Sequence, residues 1–374
     1  MKFSLMGTAV AATIAAMNMA PYAHAQDANE SSRSSLLEEI VVTGTVSGRS
    51  QIDSAVAVTQ VSSDLINQFQ PSSESELFRL LPGIQTSGTV GPGGNDNIAV
   101  RGLPVATGGS PFVQIQEDGL PTVLFGDIQF GNNDYWTNFD PSVRAVEALR
   151  GGTAGTFASQ APGAVINYIS RTGEEDGGML RLKTGLGFDE TQIDFRIGGA
   201  LGDSARYHVG GYFRNGEGPL ESGFNVSESA QIKGNITKDF EDGSGFFRVN
   251  LKFADTQEPN YTGAPFLFSQ GGNSPGGESA FPGFNGQEQS AYSSLNQTML
   301  VLEPGGFERV DLDGITTEQF AIGFELDRSL NDNFSFNNKF RWQEISGAFS
   351  NAFFGVAPAN SVVGSELSIN GTPY

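Results

Sequence analysis

The reading of this chain turns on Val146–Gly173, VEALRGGTAGTFASQAPGAVINYISRTG, and on two shorter blocks ahead of it, IAVRGLP at Ile98–Pro104 and QEDGLPT at Gln116–Thr122. Ile98-Ala99-Val100 is a short β run that stops at Arg101-Gly102. Val113 to Gln116 is a second run, and Asp118-Gly119 is the dipeptide of a tight hairpin turn. Asp140-Pro141 suits the start of a helical turn, with Asp as N-cap and Pro at the first helical position. Ala145 to Leu149 reads as a strand stopped at Gly151-Gly152, and Ala164 to Ile169 as a further apolar run rich in β-branched residues. Short strands with Gly-rich connections predict a compact α+β domain. No catalytic triad, metal cluster or phosphate loop stands in it, so the sequence offers no catalytic residues, no metal ligands and no cofactor site.

Outward from these blocks, Val56 to Val61 alternates as a strand. Ser73-x-x-Glu76 is a capping box opening a short helix over Glu74 to Leu80, which Pro82-Gly83 stops. Gly88 to Gly94 is a flexible loop, either a ligand-facing tip or an ordinary connector. Met1–Ala25 is a secretory signal: Lys2 gives the basic start, Leu5 to Ala20 the apolar core, and Ala23-His24-Ala25 the cleavage site. Gln26 to Leu37 is polar and Ser-rich, a composition that favours disorder. Glu38–Thr45, EEIVVTGT, is a β-prone segment with no local partner strand in view. Either it is the first strand of the following domain or it adds to another protein's sheet edge.

The chain has 374 residues, a formal charge of −21, 49 Gly, 29 Phe and no Cys. Without Cys there are no disulfides, thiolate metal sites or Cys nucleophiles. Two His, one of them in the leader, leave no His-based site. The acidic balance argues against nucleic acid as a partner and reads as solubility of exposed loops.

From Met179 the pattern changes to period two. Leu180, Leu182, Leu186 and Phe188, Ile193 to Leu201, Tyr207 to Phe213, Ile232 and Ile236, Phe247 to Phe253, Phe320 to Leu326, and Phe334 to Trp342 alternate with polar residues or Gly. The predicted architecture is antiparallel transmembrane β-barrel strands, apolar side out and polar side in. No later stretch approaches a spanning helix, so a membrane location has to be built from strands. Connections at Gly202–Ala205, Asp239–Gly245 and Ser329–Asn333 are short; Asn215–Ser227 and Thr256–Gly314 are long. That alternation suits periplasmic turns and extracellular loops. Phe266, Phe268, Phe281, Phe284 and Tyr292 make the longest loop a candidate for contacting a ligand, against the alternative of a disordered surface loop.

The three opening blocks, in this order and spacing behind a signal peptide and an IVVTG segment, resemble the plug domain of TonB-dependent outer-membrane receptors. The resemblance covers Glu38 to Gly173 by motif and the remainder by pattern only. It tips Glu39, Ile40, Val41, Val42 and Thr43 toward a TonB box. It divides the chain into a signal peptide (1–25), a flexible segment with the box (26–50), a plug (51–173) and the N-terminal part of a barrel (174–374). Arg101 and Arg150 each close a strand before a Gly. By themselves they are surface arginines; the resemblance implies that they face barrel-wall carboxylates, a pairing the guanidinium fork suits.

The function implied is active uptake of a scarce solute, ferric siderophore above all, across the outer membrane of a Gram-negative cell. The partners implied are TonB of the inner membrane, outer-membrane lipid and a small solute, with no enzymatic step. The alternatives are a carbohydrate or cobalamin importer, or a passive porin-like or surface binding protein. A barrel that encloses such a plug calls for about 22 strands, so seven predict an incomplete barrel in this chain.

Overall fold

The computed structural model describes residues 40–41, 49–50, 57–88, 96–109, 111–124, 133–151, 158–261, 266–267, 278–279, 283–290, 292–294, 297–350, 363–364, 368–369 and 372–373. The expected signal sequence (1–25), Glu39, Val42, Thr43, most of the Gly88–Gly94 loop, Phe268 and Phe281 lie outside the described residues.

The strands in chain order begin with β1 (Ile40–Val41), β2 (Arg49–Ser50), β3 (Ala57–Ser62), β4 (Ile84–Gly88), β5 (Asp96–Val100) and β6 (Ala106–Thr107). They continue with β7 (Val113–Glu117), β8 (Leu120–Pro121), β9 (Val143–Arg150) and β10 (Ala164–Ser170). Helices α1 (Ser63–Phe69) and α2 (Glu74–Phe78) follow β3. A five-stranded sheet runs β3-β9-β10-β7-β8 and a three-stranded sheet β4-β5-β6. β10 pairs parallel with β7 and antiparallel with β9. β7, β9 and β10 are buried almost throughout because both faces of the large sheet are covered. On one face Leu77, Phe78 and Leu81 pack with Ile98, Ile115, Val146, Ile166 and Tyr168; on the other lie Val58, Leu149, Ala161 and Val165.

Ser73 caps α2, its hydroxyl accepting from Glu76 N at 3.2 Å. The reciprocal arm of the box goes to Ser72 N rather than to the cap residue. Asp140-Pro141 opens no helix. Asp140 Oδ1 accepts from Ser142 N in a turn that leads directly into β9, since Val143 onward finds strand partners on two sides. The segment Glu38–Thr45 has a local partner after all, because β1 pairs antiparallel with β2.

Beyond Gly173 the chain forms one seven-stranded antiparallel sheet, the wall, in sequence order. Its strands are β11 (Gly177–Thr184), β12 (Glu190–Ala200), β13 (Ala205–Gly216), β14 (Ser227–Asp239) and β15 (Gly245–Glu258). Within the long loop lie short pieces, β16 (Phe266–Leu267), β17 (Glu278–Ser279), β18 (Thr298–Glu303) and β19 (Gly306–Asp311). The wall then closes its run with β20 (Gly314–Asn331) and β21 (Phe334–Ser350). Gly173, at φ +78°, is the junction: a Cβ there would stand 2.1 Å from the Tyr207 carbonyl oxygen, so only glycine passes so close to β13.

The wall inverts the usual rule of burial. Leu182 is 70% exposed, and Leu180, Ile236, Leu251, Phe253, Phe320, Phe340 and Trp342 are also exposed. Asp194, His208, Gln231, Lys252 and Glu258 are buried on the inner face. An apolar outer face and a polar inner face are what lipid demands of strands. Leu186 and Phe188 fall in the turn after β11, not in the strand.

Among the described residues the sheet is open, with β11 and β21 at its edges. Unpaired edge groups in lipid cost several kcal/mol each. Residues 26–374 alone, refolded in detergent, are expected to give no compact heat-modifiable species on a gel; such a species would show that the edges close.

Candidate functional site

The site is the seat between plug and wall, and it is built on the QEDGLPT block. β7 and β8 pair Glu117 with Leu120, leaving a two-residue hairpin turn. Asp118 (φ 53°) and Gly119 (φ 85°) both adopt positive φ, as a type I′ turn requires. The turn is bolted to the end of β10. Asp118 Oδ1 accepts from Ser170 N at 2.8 Å, its Oδ2 from Ser170 Oγ at 2.7 Å, and Gly119 N donates to Asn167 Oδ1 at 2.9 Å. Glu117, the last strand residue before the turn, is thereby fixed facing the wall.

The wall meets it with cations from separate strands. Lys233 Nζ (β14) and Lys252 Nζ (β15) stand 2.7 and 2.9 Å from Glu117 Oε1, and Arg341 Nη1 (β21) stands 3.5 Å from Oε2. Burial alone would raise the Glu117 carboxyl, but Lys233, Lys252 and Arg341 outweigh it and hold the group below the usual carboxylate range. The same strands grip the turn's backbone. Lys339 Nζ donates to Asp118 O at 2.9 Å, Arg341 to Leu120 O and Pro121 O, and Gln343 Nε2 to Thr122 O at 2.6 Å. Lys252 Nζ also reaches Trp136 O, Gln231 reaches Asn138 O and Asp140, and Asn235 reaches Arg171 O. The wall thus supplies donors and the plug acceptors. Trp136 reverses this, donating Nε1 to Ser346 O at 3.1 Å, while Tyr135 and Trp136 pack on Ile315 and Ile345.

A second polar cluster lies inside the plug. Asp96 N donates to Asp134 Oδ2 at 2.7 Å, and Phe139 N donates to Glu74 Oε1. Both Asp96 carboxylate oxygens are buried without a hydrogen-bond partner, as is the Tyr168 hydroxyl. Burial pushes the Glu74 carboxyl up to about 7. Burial, with Asp134 and Glu74 beside it, raises Asp96 further.

The residues singled out from the sequence land as follows. Arg150 donates to Pro82 O and Thr59 Oγ1 within the plug. Arg101 is exposed beside it, both flanking Gly83. Among the described residues no ion pair joins either to a wall carboxylate; the ionic contact runs the other way, from a plug carboxylate to wall cations. Tyr292 is fully buried, edge-on to Phe224 at 5.4 Å and packed with Val226 and Leu312. It binds the long loop to loop 217–226, where Glu221 N donates to Glu288 O at 2.7 Å, and offers no surface to a ligand. Phe284 is half-buried and Phe266 lies in β16. Glu117 and its cations went unnoticed in the sequence. The one signal was a charged residue in an otherwise alternating run directly before Asp-Gly.

A mixed-sheet plug held by its acceptors against the polar face of an apolar-out antiparallel wall defines a plugged outer-membrane protein. Residues 50–165 match the family described as TonB-dependent Receptor Plug Domain. Over those residues the chain is similar to the TonB-dependent receptors, whose members are outer-membrane receptors and transporters of Gram-negative cells.

It is 25% identical over 205 residues to the ferric enterobactin receptor of Pseudomonas aeruginosa, covering 50% of this chain and 26% of that one. In fold it resembles the alcaligin outer-membrane receptor FauA of Bordetella pertussis (TM-score 0.55, 13% identity, 83% of this chain and 42% of that one). It also resembles the ferric-catecholate import receptor Fiu of E. coli K12 (TM-score 0.56, 17% identity, 80% and 40%). The chain therefore spans well under half the length of these relatives.

The raised plug carboxyls make a pH prediction. The folded plug retains protons that the unfolded chain has lost above about pH 4, so its stability falls as pH rises through that window, by about 1.4 kcal/mol per pH unit for each proton fully retained. Asp96→Asn removes one such group. Thermal unfolding of the plug is expected to lose less between pH 5 and pH 8 in the variant than in the wild type, by about 4 °C for each kcal/mol recovered. Equal losses would mean that Asp96 is charged in the folded plug.

Proposed function

We infer that this chain provides the gate and the energy-coupling segment of a TonB-dependent importer whose cargo is a ferric siderophore. The observation that carries this is the seat itself. The plug is held by a buried carboxylate, backbone carbonyls and one aromatic peg, contacts that water can replace one at a time as the plug shifts. A wholly apolar seat would resist such stepwise release. The reading includes no bond made or broken. The name of the P. aeruginosa relative, at 25% identity, supports a ferric siderophore over cobalamin or carbohydrate.

In this reading residues 39–43 are the TonB box, and TonB pulls on them after adding its own strand edge. Ile40–Val41 already has strand geometry, and its pairing with Arg49–Ser50 is only two residues long, so little has to be given up. The box, the plug and the wall then form one line of force through Gly173.

Proline at position 41 removes a ladder donor. In cells carrying the complete receptor, Val41→Pro is expected to abolish uptake of radioiron supplied as a panel of catecholate, hydroxamate and citrate complexes, while surface binding persists. An uncoupler should do the same to the wild type. Uptake that survives both treatments would identify a passive pore instead.

A further inference from the structure

Two sets of cations stand out on the wall. Arg214 is neutralised by Glu258 at 2.7 Å, Arg248 and Lys339 by Glu325 at 2.8 and 3.2 Å, and Lys183 by Asp194 at 3.1 Å. These pairs lie wholly within the wall and persist wherever the plug goes. Lys233, Lys252 and Arg341 differ, because among the described residues every partner they have belongs to the plug. Lys233 meets Glu117 and Asp140, Lys252 meets Glu117 and the Trp136 carbonyl, and Arg341 meets Glu117, Leu120 O and Pro121 O.

When the plug yields, these buried cations lose all compensation at once. An unpaired buried charge is not tolerated without water or a counter-ion. The cations stand near the middle of β14, β15 and β21, far from the outer loops, and already converge on the geometry of a single carboxylate. Beside them a crevice of ≈ 60 Å³, open on one side, is lined by Asn235 and Asn250 as well as by the cations, so donors continue past the carboxylate.

We propose that Lys233, Lys252 and Arg341 form an anion site in the lumen, occupied at rest by the Glu117 carboxylate and, once the plug moves, by a carboxylate-bearing solute in transit. Glu117 acts as a resident stand-in for the cargo's own negative charge, so the wall keeps its charges paired throughout the cycle. A neutral solute would leave them bare. The substrate class this names, a small polycarboxylate or its metal complex, rests on the import reading above.

The test reads binding rather than transport, so a failed uptake assay and a failed binding assay point to different faults. Citrate is the probe, carried as radiolabel into equilibrium dialysis with the complete receptor purified from outer membranes in detergent. Glu117→Ala empties the cradle. It is expected to bind one citrate per receptor about tenfold or more tighter than wild type, with affinity falling as salt rises. Adding Lys233→Gln and Lys252→Gln should abolish the gain. Citrate binding by Glu117→Ala no tighter than by wild type overturns the proposal, as does a gain that survives loss of both lysines. Glu117→Gln, which keeps the side chain's shape, guards against an alanine variant that fails to insert. Millimolar citrate should raise its unfolding temperature and leave the wild type's unchanged; no citrate-dependent shift in Glu117→Gln refutes the site.

Discussion

One buried carboxylate organises the contact between the two halves of this molecule. Glu117 is met on the wall by Lys233, Lys252 and Arg341, and among the described residues each of those charges is paired by the plug. Removing one member of such a cluster leaves the others uncompensated, which costs about 3–5 kcal/mol in comparable buried pairs. The rest of the plug serves to place that carboxylate. The Asp118-Gly119 turn fixes its direction, Asn167 and Ser170 fix the turn, and the large sheet fixes the strand that carries them. Across the seat the wall donates and the plug accepts, an arrangement that specifies one docked position without the permanence of a shared apolar core.

The charge distribution is unlike what the composition suggests. A chain with a formal charge of −21 carries on its inward wall face Lys233, Arg248, Lys252, Lys339 and Arg341, against Glu258 and Glu325 on the same strands. Net charge reports on solubility and long-range fields and is silent about which face holds which sign. The plug arginines show the same point. Arg150 braces the plug internally through Pro82 and Thr59, and the ionic bond to the wall is made by an acid.

Much of the fold was legible because it is written in local patterns. Period-two alternation marked all seven wall strands, since an apolar-out, polar-in strand has to alternate wherever it crosses lipid. The β-rich runs of the plug, the Asp118-Gly119 turn and the Ser73 cap were visible for the same reason. Two local signals were passed over: Ser62 ahead of SDLINQF, which caps α1, and Pro304-Gly305 between apolar runs, which turns β18 into β19. Asp140-Pro141 misled, because strand pairing on both sides of β9 overrides a cap-like dipeptide. The seat itself was illegible. Lys252 and Arg341 lie 135 and 224 positions from Glu117 in the sequence, and nothing local says that their strands pass the same turn. Tyr292 likewise looked like a ligand aromatic until Phe224 and Leu312 were seen to cover it.

A double-mutant cycle between Glu117→Gln and Lys252→Met tests this account most directly, with plug release in urea followed through hydrogen exchange of the Val113–Glu117 amides. The account predicts that the double variant loses less than the two single variants together, with a coupling energy of about 1–3 kcal/mol, as residues sharing a buried network show. Losses that add to within about 0.5 kcal/mol would contradict it, and would mean that the plug is seated by its other contacts.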